Sequence, residues 1–333
     1  MAAVNSTKRA GPGAWVLRCA PGLARLLTDE LRFQRLIGKA ERPLVLRQRN
    51  HDLLFLQKLA RLPAGAELRL AEEVHRCPVY GRYKLSPSQL DRLAADLKRC
   101  RLIVTADGSH FDRRDLTRFL TRELEQRRVR VGAEGPELWV FAIDAAYYIC
   151  RRLRDDGRAW RVAERPGSLP PTIAAGLAFL GHPTDTDTIL DPVCGSGTLL
   201  AEAHGFAAGA TLHGFDLDAG AIAAACRNLK HTTASLAIGD GRETGLPPAS
   251  VSLFLANLPF GKQFGDRAEN ASLYARLIAE MRRLGRPGWR AALLSSDEEN
   301  LRAALAGMAV EREFRVQIRG EKALMLLSRP RLS

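Results

Sequence analysis

The residues best suited to chemistry follow four short apolar runs in the C-terminal half of the chain. The first run ends in Asp191-Pro192-Val193-Cys194-Gly195-Ser196-Gly197-Thr198, where two glycines let the backbone pass close to a ligand. A helix that begins directly after such a turn points its free amide groups at the ligand. A dinucleotide site would place a third glycine where Leu200 stands, so a pyrophosphate is disfavoured. A purely structural glycine turn is the alternative.

Acidic residues follow the second and third runs. Asp216 ends the second run, and a carboxylate at this place can accept hydrogen bonds from both hydroxyls of a ribose. Asp240, between Gly239 and Gly241, follows the third run and can accept a hydrogen bond from an adenine amine. A helix or turn cap is the alternative role of either aspartate. Together these parts describe a site for an adenosine that carries an amino-acid-like end rather than phosphates.

The fourth run, Val251–Ala256, leads into Asn257-Leu258-Pro259-Phe260. An exocyclic amine on a base is a poor nucleophile because its lone pair is delocalised into the ring, so catalysis needs acceptors for its N–H groups. The Asn257 amide oxygen and the Leu258 backbone carbonyl can be those acceptors. Pro259 stiffens the loop, and Phe260 offers a ring face on which the base can stack. The base must leave its helix or come from a loop. A surface turn without chemistry is the alternative.

A parallel sheet would bring these four segments together. Apolar strands alternate with Ala- and Leu-rich helices from residue 188 onward, and a β–β pair ends the chain. This alternation predicts an α/β domain over residues 167–333, with helices on both faces of the sheet and an antiparallel strand at one edge. The predicted strands are Thr188–Val193, Thr211–Asp216, Ser235–Ile238, Val251–Ala256, Ala291–Ser295, Val310–Ile318 and Ala323–Ser328. The predicted helices are Leu199–Ala208, Ala219–Lys230, Ala271–Leu284 and Glu298–Ala306.

The N-terminal half has a smaller α+β pattern in two groups, 15–85 and 86–150. The second group opens at Ser86, which has the capping-box spacing to Gln89 with Pro87 at the first helical position. Residues 1–14 are predicted to be a disordered tail, and the charged stretch 151–166 a linker. The predicted elements are strand Ala14–Cys19, helix Leu23–Leu31, hairpin Leu44–Arg47 with Leu53–Leu56, strand Leu102–Ala106, a helix over 112–127, and hairpin Leu138–Ile143 with Ala146–Cys150.

Charge separates the two halves of the chain. The 333 residues include 50 Lys and Arg against 37 Asp and Glu, a net charge of +13. Residues 1–165 hold 33 of the basic and 20 of the acidic side chains, and the remaining 17 of each lie in 166–333. Codon bias toward arginine would spread the excess evenly, so the asymmetry predicts that the N-terminal half faces nucleic acid.

A basic stripe on the predicted helix 112–127 is the clearest candidate for contact with phosphates. Arg114, Arg118 and Arg122 recur every four residues and share one helix face. The alternative is a solvated face whose arginines pair with Asp115 and Glu123.

Cysteine spacing and hydropathy exclude several other classes. Among the six cysteines, no pair forms a CxxC motif, so we expect neither a zinc ribbon nor another metal site. Reduced thiols are the default in a cytoplasmic protein, and we expect that location. No run approaches the roughly 18 apolar residues of a membrane span, so we expect a soluble chain without a membrane partner. The sequence patterns do not indicate an oligomeric state.

The motifs resemble those of a known family. Asp191–Thr198, Asp216, Asp240 and Asn257–Phe260 look like the S-adenosylmethionine, acidic and (D/N)-P-P-(F/Y) motifs of amino-methyltransferases. The run from Asn257 to Lys262 is similar to that of THUMP-domain RNA methyltransferases, which form N2-methylguanosine. Residues 169–175 resemble the helix before that family's sheet, and 191–203 follow its first motif. Leu258 departs from the Pro-Pro form of the motif.

The resemblance implies a Rossmann-like class I methyltransferase domain with a seven-stranded, mostly parallel sheet. It also implies a ferredoxin-like subdomain over 15–85 and a THUMP-like RNA-binding subdomain over 86–150. The implied cofactor is S-adenosyl-L-methionine, bound by Pro171, Thr172, Asp191, Cys194, Gly195, Gly197, Thr198, Asp216, Leu217, Asp240, Gly241 and Asn257. The implied catalytic residues are Asn257, Leu258, Pro259 and Phe260, and Lys262 would join the three arginines as an RNA contact.

The implied reaction is methylation of the N2 amine of a guanosine in RNA, with tRNA favoured over rRNA. Asn rather than Asp at position 257 leaves adenine-N6 methylation of a nucleic acid open. A 5-methylcytosine mechanism needs a cysteine near the fourth strand, and none follows Cys226. A non-catalytic RNA-binding protein that retains the fold is the alternative of a different class, and the intact run Asn257–Phe260 argues against it.

Overall fold

The computed structural model describes residues 14–48, 50–57, 67–107, 110–155, 158, 160–259 and 267–331. The chain divides into two compact units, 1–156 and 157–333. Apart from Ala14, which opens a strand, the predicted tail lies outside the described residues. Phe260 and Lys262 also lie outside them.

The first unit is built on one mixed sheet. Its strands run in the order β2-β3-β1-β4-β8-β7-β5-β6. The helices α2 and α3 pack their leucines against one face of β4, β5, β7 and β8. The elements are β1 Ala14–Cys19, α1 Ala24–Phe33, β2 Leu44–Arg47, β3 Asp52–Leu56, β4 Glu73–Arg82, α2 Pro87–Ala94, β5 Arg99–Asp107, α3 Arg113–Gln126, β6 Arg130–Val131, β7 Glu137–Ile143 and β8 Ala146–Asp155.

Strand β4 joins the two predicted groups of this unit into one sheet, because it pairs with β1 on one side and β8 on the other. It has no counterpart among the predicted strands, since Glu73 and His75 interrupt its apolar pattern. Both are buried, and their side chains hydrogen bond to each other at 2.9 Å. The predicted linker is wrong over residues 151–155, which continue β8. The charge of Arg152 is accommodated because the neighbouring strand β4 supplies an opposite one: a guanidinium nitrogen of Arg152 lies 3.5 Å from a carboxylate oxygen of Glu73.

The second unit has the predicted α/β architecture. Its sheet order is β11-β10-β9-β12-β13-β15-β14, and every strand is parallel to β9 except β15. The elements are α4 Pro171–Leu180, β9 Thr188–Asp191, α5 Thr198–Phe206, β10 Thr211–Asp216, α6 Ala219–Asn228, β11 Ser235–Ile238, β12 Val251–Asn257, α7 Arg267–Leu284, β13 Gly285–Ser295, α8 Glu298–Ala304, β14 Met308–Ile318 and β15 Glu321–Pro330.

One detail of the predicted sheet is corrected. The antiparallel strand is β15, and it lies second from the edge, between β13 and β14. The tight turn at Arg319 and Gly320, both with positive φ, makes β14 and β15 a hairpin, and β15 then pairs with β13 along its other side. Within the described residues, no helix is both long and apolar enough to cross a membrane.

A buried ion pair holds the strands together at their amino ends. Arg290 on β13 donates to both carboxylate oxygens of Asp187, at 2.7 and 3.2 Å, and to the carbonyl of Gly181 at 2.6 Å. Burial alone would raise the pKa of Asp187, but hydrogen bonds from Arg290 and Ser252 hold it well below its usual range. This cluster fixes β9, β12 and β13 relative to one another, and the opposite ends of these strands carry the candidate site.

Candidate active site

The four motif segments meet at the carboxyl edge of the second sheet. β9 ends at Asp191, β10 at Asp216, β11 at Ile238 and β12 at Asn257, and these strands are parallel neighbours in the order β11-β10-β9-β12. Strands β10 and β11 follow β9 on one side of it, and β12 and the later strands lie on its other side, so the strand order reverses next to β9. Ligands of open α/β sheets bind in the crevice at such a switch point, and the structure places the motif residues there.

The turn after β9 has two glycines with different structural roles. Both are left-handed, with φ of 53° at Gly195 and 76° at Gly197. A Cβ on Gly197 would lie 2.8 Å from Leu229, so this glycine lets the turn pack on the end of α6. A Cβ on Gly195 would meet nothing within 4 Å, so open space adjoins the backbone there. The turn therefore offers exposed backbone in front of the N-terminus of α5.

Asp216 is held by the backbone around it. One carboxylate oxygen accepts the Gly195 amide at 2.9 Å, and the other accepts the Asp218 amide at 2.9 Å. The residue that follows, Leu217, leaves 67% of its side chain exposed. A fixed carboxylate beside an exposed apolar side chain suits a ligand with a hydroxylated ring and a flat base.

Asp191 is deeply buried, with 1% of its surface exposed, and its carboxylate accepts the Val193 amide at 3.1 Å. Burial, and to a lesser degree the charge of Asp216, raises the pKa of Asp191 to about 8. Burial and these two aspartates also raise the pKa of the neighbouring Cys194 thiol. A protonated, buried thiol is a poor nucleophile, so Cys194 serves the turn by packing.

The burial of Asp191 predicts a pH-dependent stability. A carboxyl whose pKa is raised by folding stabilises the folded protein fully below its unfolded pKa of about 3.9. That contribution disappears as the pH rises toward 8. We compare the Tm of ligand-free Asp191→Asn with that of the ligand-free wild-type protein. We expect the gain in Tm from the substitution to be about 5 °C larger at pH 8 than at pH 5. Thermal unfolding at both pH values measures this difference. An equal change in Tm at the two pH values would contradict the assignment.

The loop after β11 approaches the glycine turn very closely. A Cβ on Gly241 would lie 2.0 Å from the carbonyl oxygen of Pro192, so only glycine fits without moving one of the two loops. Arg242 donates to both oxygens of Asp240, at 2.7 and 2.9 Å from its Nε. These hydrogen bonds hold the pKa of Asp240 below its usual value and fix the orientation of the carboxylate.

Asn228, at the end of α6, ties the segment before α4 to the same turn. Its amide nitrogen donates to the carbonyls of Ala163 and Ser196, each at 2.9 Å. Its amide oxygen accepts the amides of Val162 and Ala163 at 3.1 and 2.9 Å. Sequence reasoning misses this residue, because a single asparagine at a helix end is an ordinary feature.

The predicted residues Pro171 and Thr172 begin α4 and are buried. The segment that leads into them is joined to the glycine turn by a hydrogen bond between the hydroxyls of Ser168 and Ser196, at 3.0 Å. Thr198, the first residue of α5, is also buried, with its hydroxyl 3.3 Å from that of Ser196.

The loop after β12 is anchored on two sides and presents a buried acceptor. The Leu258 side chain is fully buried, and its amide donates to the carbonyl of Leu294 at 2.9 Å. The Pro259 carbonyl accepts the hydroxyl of Tyr274 at 2.7 Å. The Oδ1 atom of Asn257 is buried and has no hydrogen-bond partner among the described residues. A buried acceptor without a partner costs about 1–3 kcal/mol, so this atom fits a site that receives a donor from a ligand.

The predicted RNA-contact arginines lie in the first unit, on α3. Arg114, Arg118 and Arg122 are all exposed. Arg118 pairs with Asp115, and Arg122 lies 3.6 Å from Glu123, as the alternative interpretation expects. These pairs lie at the surface, since 79% of the Arg118 side chain and 67% of the Arg122 side chain stay exposed. The guanidinium groups therefore remain accessible to phosphates.

In the part of the chain that the structure describes, no group of three or more His, Cys, Asp or Glu side chains could hold a metal ion. The six cysteines are all free thiols, and only Cys226 is exposed.

The sheet order, the glycine turn at its switch point and the acidic strand ends define a class I methyltransferase domain. The structure of TrmN from Thermus thermophilus has the same fold: it aligns with a TM-score of 0.80 at 22% identity, over 95% of this chain and 99% of that one. Residues 158–323 match the family described as RMKL-like, methyltransferase domain. The match to this methyltransferase family lies in the second unit.

Two curated relatives confirm the resemblance to THUMP-domain guanine-N2 methyltransferases. The mouse tRNA (guanine(6)-N(2))-methyltransferase THUMP3 is 34% identical over 165 residues, which cover 43% of this chain and 32% of the relative. The mouse U6 snRNA (guanine-N(2))-methyltransferase THUMPD2 is 29% identical over 146 residues, which cover 43% and 27%. The chain thus matches about a third of the length of these relatives.

Proposed function

We propose that the protein transfers a methyl group from S-adenosyl-L-methionine to the exocyclic N2 amine of a guanosine in RNA, with tRNA as the favoured substrate. The observation that carries this proposal is the Oδ1 atom of Asn257, which is buried and has no hydrogen-bond partner within the described part of the chain, at the switch point where the glycine turn also lies. An acceptor in this position would bind an N–H group of the base. The residues around it fit a nucleoside-like cofactor.

Each part of the crevice fits one part of that cofactor. The open backbone at Gly195 suits its amino-acid end, and the fixed carboxylate of Asp216 suits the ribose hydroxyls. Asp240 and the exposed Leu217 suit the adenine. When bound, the cofactor supplies a methyl group on a sulfonium, which is already activated for transfer.

The loop after β12 would hold the reacting amine. Asn257 Oδ1 accepts one N–H group, and the Leu258 carbonyl accepts the other, while the Pro259 carbonyl is already occupied by Tyr274. Two acceptors orient the nitrogen lone pair and let the nitrogen become tetrahedral. Phe260 is proposed to stack on the base. Orientation of this kind supplies most of the acceleration that such a site needs.

Guanosine in RNA is proposed as the substrate because both relatives named above act on guanine N2, in tRNA and in U6 snRNA. The first unit would hold the RNA, since the positive excess of the chain lies in residues 1–165. We also propose a cytoplasmic location, which is compatible with the free thiols of the six cysteines.

The basic stripe gives a prediction for RNA binding. Replacing Arg114, Arg118 and Arg122 together by alanine should weaken RNA binding about tenfold or more near 0.1 M salt. It should also lower the slope of log K against log salt by about 2, because each lost phosphate contact removes roughly 0.7–0.9. Filter binding across a salt series measures both effects. The matched control replaces Arg25, Arg35 and Arg42, which are also exposed in the first unit. Equal losses in both triple variants would contradict a specific role for α3.

The experiment that tests the proposed function is methyl transfer from labelled S-adenosyl-L-methionine to three acceptors: total RNA, DNA and total protein. We expect label in RNA alone. Label in DNA, or none in any acceptor although the protein binds the cofactor, would contradict the proposal.

A further inference from the structure

Tyr274 is a fully buried tyrosine on α7 whose hydroxyl lies between two oxygen atoms. It is 2.7 Å from the carbonyl oxygen of Pro259 and 2.8 Å from Oγ of Ser295. The Ser295 hydroxyl oxygen in turn accepts the backbone amide of Asp297 at 2.9 Å. Sequence reasoning assigns no role to Tyr274, because a lone aromatic residue on a helix usually serves the core.

The direction of each hydrogen bond follows from the chemistry of the groups. A carbonyl oxygen can only accept, so the Tyr274 proton must point at Pro259. The Ser295 proton must then point at the tyrosine oxygen, and the Asp297 amide donates to Ser295. A continuous chain of donors thus runs from the start of α8, through the end of β13, to the loop after β12. Burial raises the pKa of Tyr274 to about 12, so the hydroxyl keeps its proton at neutral pH.

This chain fixes the peptide group that presents the second acceptor. On one side of the Leu258–Pro259 peptide, the Leu258 amide is bound to the Leu294 carbonyl at 2.9 Å. On the other side, the Pro259 carbonyl is bound to Tyr274. Between them, the proline ring fixes its own φ, and the peptide itself is planar. The orientation of the Leu258 carbonyl is therefore restrained from both sides.

We infer that Tyr274 is a positioning residue for methyl transfer: its hydroxyl holds the Pro259 carbonyl and thereby aims the Leu258 carbonyl at the amine of the base. The inference rests on the proposed function and deepens it. It requires that Tyr274 affect the catalytic step, and not the binding of the cofactor at the glycine turn. A residue that only supported the core would affect stability and cofactor binding alike.

The test is Tyr274→Phe, which removes one oxygen atom and keeps the ring. We expect kcat for RNA methylation to fall about 10- to 100-fold, as small misplacements at reacting centres do. The Kd for S-adenosyl-L-methionine and the KM for RNA should each stay within about twofold of the wild-type value. The matched control is Tyr147→Phe, which removes a buried hydroxyl that donates to a backbone carbonyl in the first unit, at 3.0 Å from Lys84. It should leave kcat unchanged.

A second measurement detects the hydrogen bond between Tyr274 and the Pro259 carbonyl in the protein without substrate. In 13C-labelled protein, the carbonyl carbon shift of Pro259 should change in Tyr274→Phe and stay constant in Tyr147→Phe. A kcat within twofold of wild type, or a loss of cofactor affinity as large as the loss of kcat, would overturn the inference. An unchanged Pro259 shift would also overturn it. Absence of methyl transfer by the wild-type protein would instead contradict the proposed function, and the carbon shift would still report the hydrogen bond.

Discussion

Replacing Asn257 by alanine is expected to lower kcat about 100- to 1000-fold, the range seen when one preorganised hydrogen-bonding group is removed from an active site. The reason is that Oδ1 of Asn257 is buried without a partner among the described residues, and in the proposed mechanism its hydrogen bond forms with the substrate. The Kd for S-adenosyl-L-methionine should change by less than about fivefold, because the glycine turn and Asp216 remain in place. Loss of kcat with cofactor affinity retained is the signature of a group that acts on the base.

Stability gives an independent readout for the same variant. Removing a buried acceptor that has no partner in the described ranges costs no hydrogen bond to those residues through that atom. We therefore expect the Tm of Asn257→Ala to stay close to the wild-type value. The matched variant Asn257→Asp keeps an acceptor oxygen in place and should retain more activity than the alanine variant. Thermal unfolding measures the Tm, and single-turnover kinetics with saturating RNA measures the activity of each variant. Wild-type kcat in Asn257→Ala would contradict the catalytic role.

Replacing Gly241 by alanine is expected to weaken cofactor binding strongly, with the Kd raised about 100-fold or more. Its Cβ would lie 2.0 Å from the Pro192 carbonyl oxygen, which is a backbone atom and cannot rotate away. The loop after β11 and the turn after β9 must then separate, and both carry residues assigned to the cofactor. Overpacking of this kind typically costs 1–3 kcal/mol, so a lower Tm should accompany the loss of binding.

Gly239→Ala is the matched control for this steric argument. Its Cβ would lie 3.2 Å from the ring of Phe215, a side chain that can shift by a few tenths of an ångström. We expect its effect on the Kd to be at least about tenfold smaller than that of Gly241→Ala. Calorimetric titration with S-adenosyl-L-methionine measures both variants. Similar affinities in Gly241→Ala and the wild-type protein would show that the two loops can separate freely, contrary to the proposed site.

Much of the second unit could be predicted from the sequence because each element has its own local pattern. Strands β10 and β11 have the predicted bounds, since apolar runs there end sharply at Asp216 and at Gly239. The convergence of Asp191, Asp216, Asp240 and Asn257 followed from parallel strands alone, because their carboxyl ends share one edge of the sheet.

The features that sequence reasoning missed depend on long-range partners. Strand β4 is stable because Glu73 and His75 bond to each other and to neighbours inside the sheet, which no local pattern indicates. The position of β15 depends on which side of the hairpin meets β13. Asn228 and Tyr274 are single polar residues on helices, and their roles come from backbone groups that are distant in sequence. Such contacts exist only after the fold has formed.

The most direct test of the proposed activity is the identity of the methylated nucleoside. Unmodified RNA is incubated with the protein and labelled S-adenosyl-L-methionine, digested to nucleosides, and separated by chromatography with mass detection. The proposed site predicts label in N2-methylguanosine, and its absence when Asn257→Ala replaces the wild-type protein. Label in N6-methyladenosine instead would contradict the assignment of guanine N2 as the acceptor.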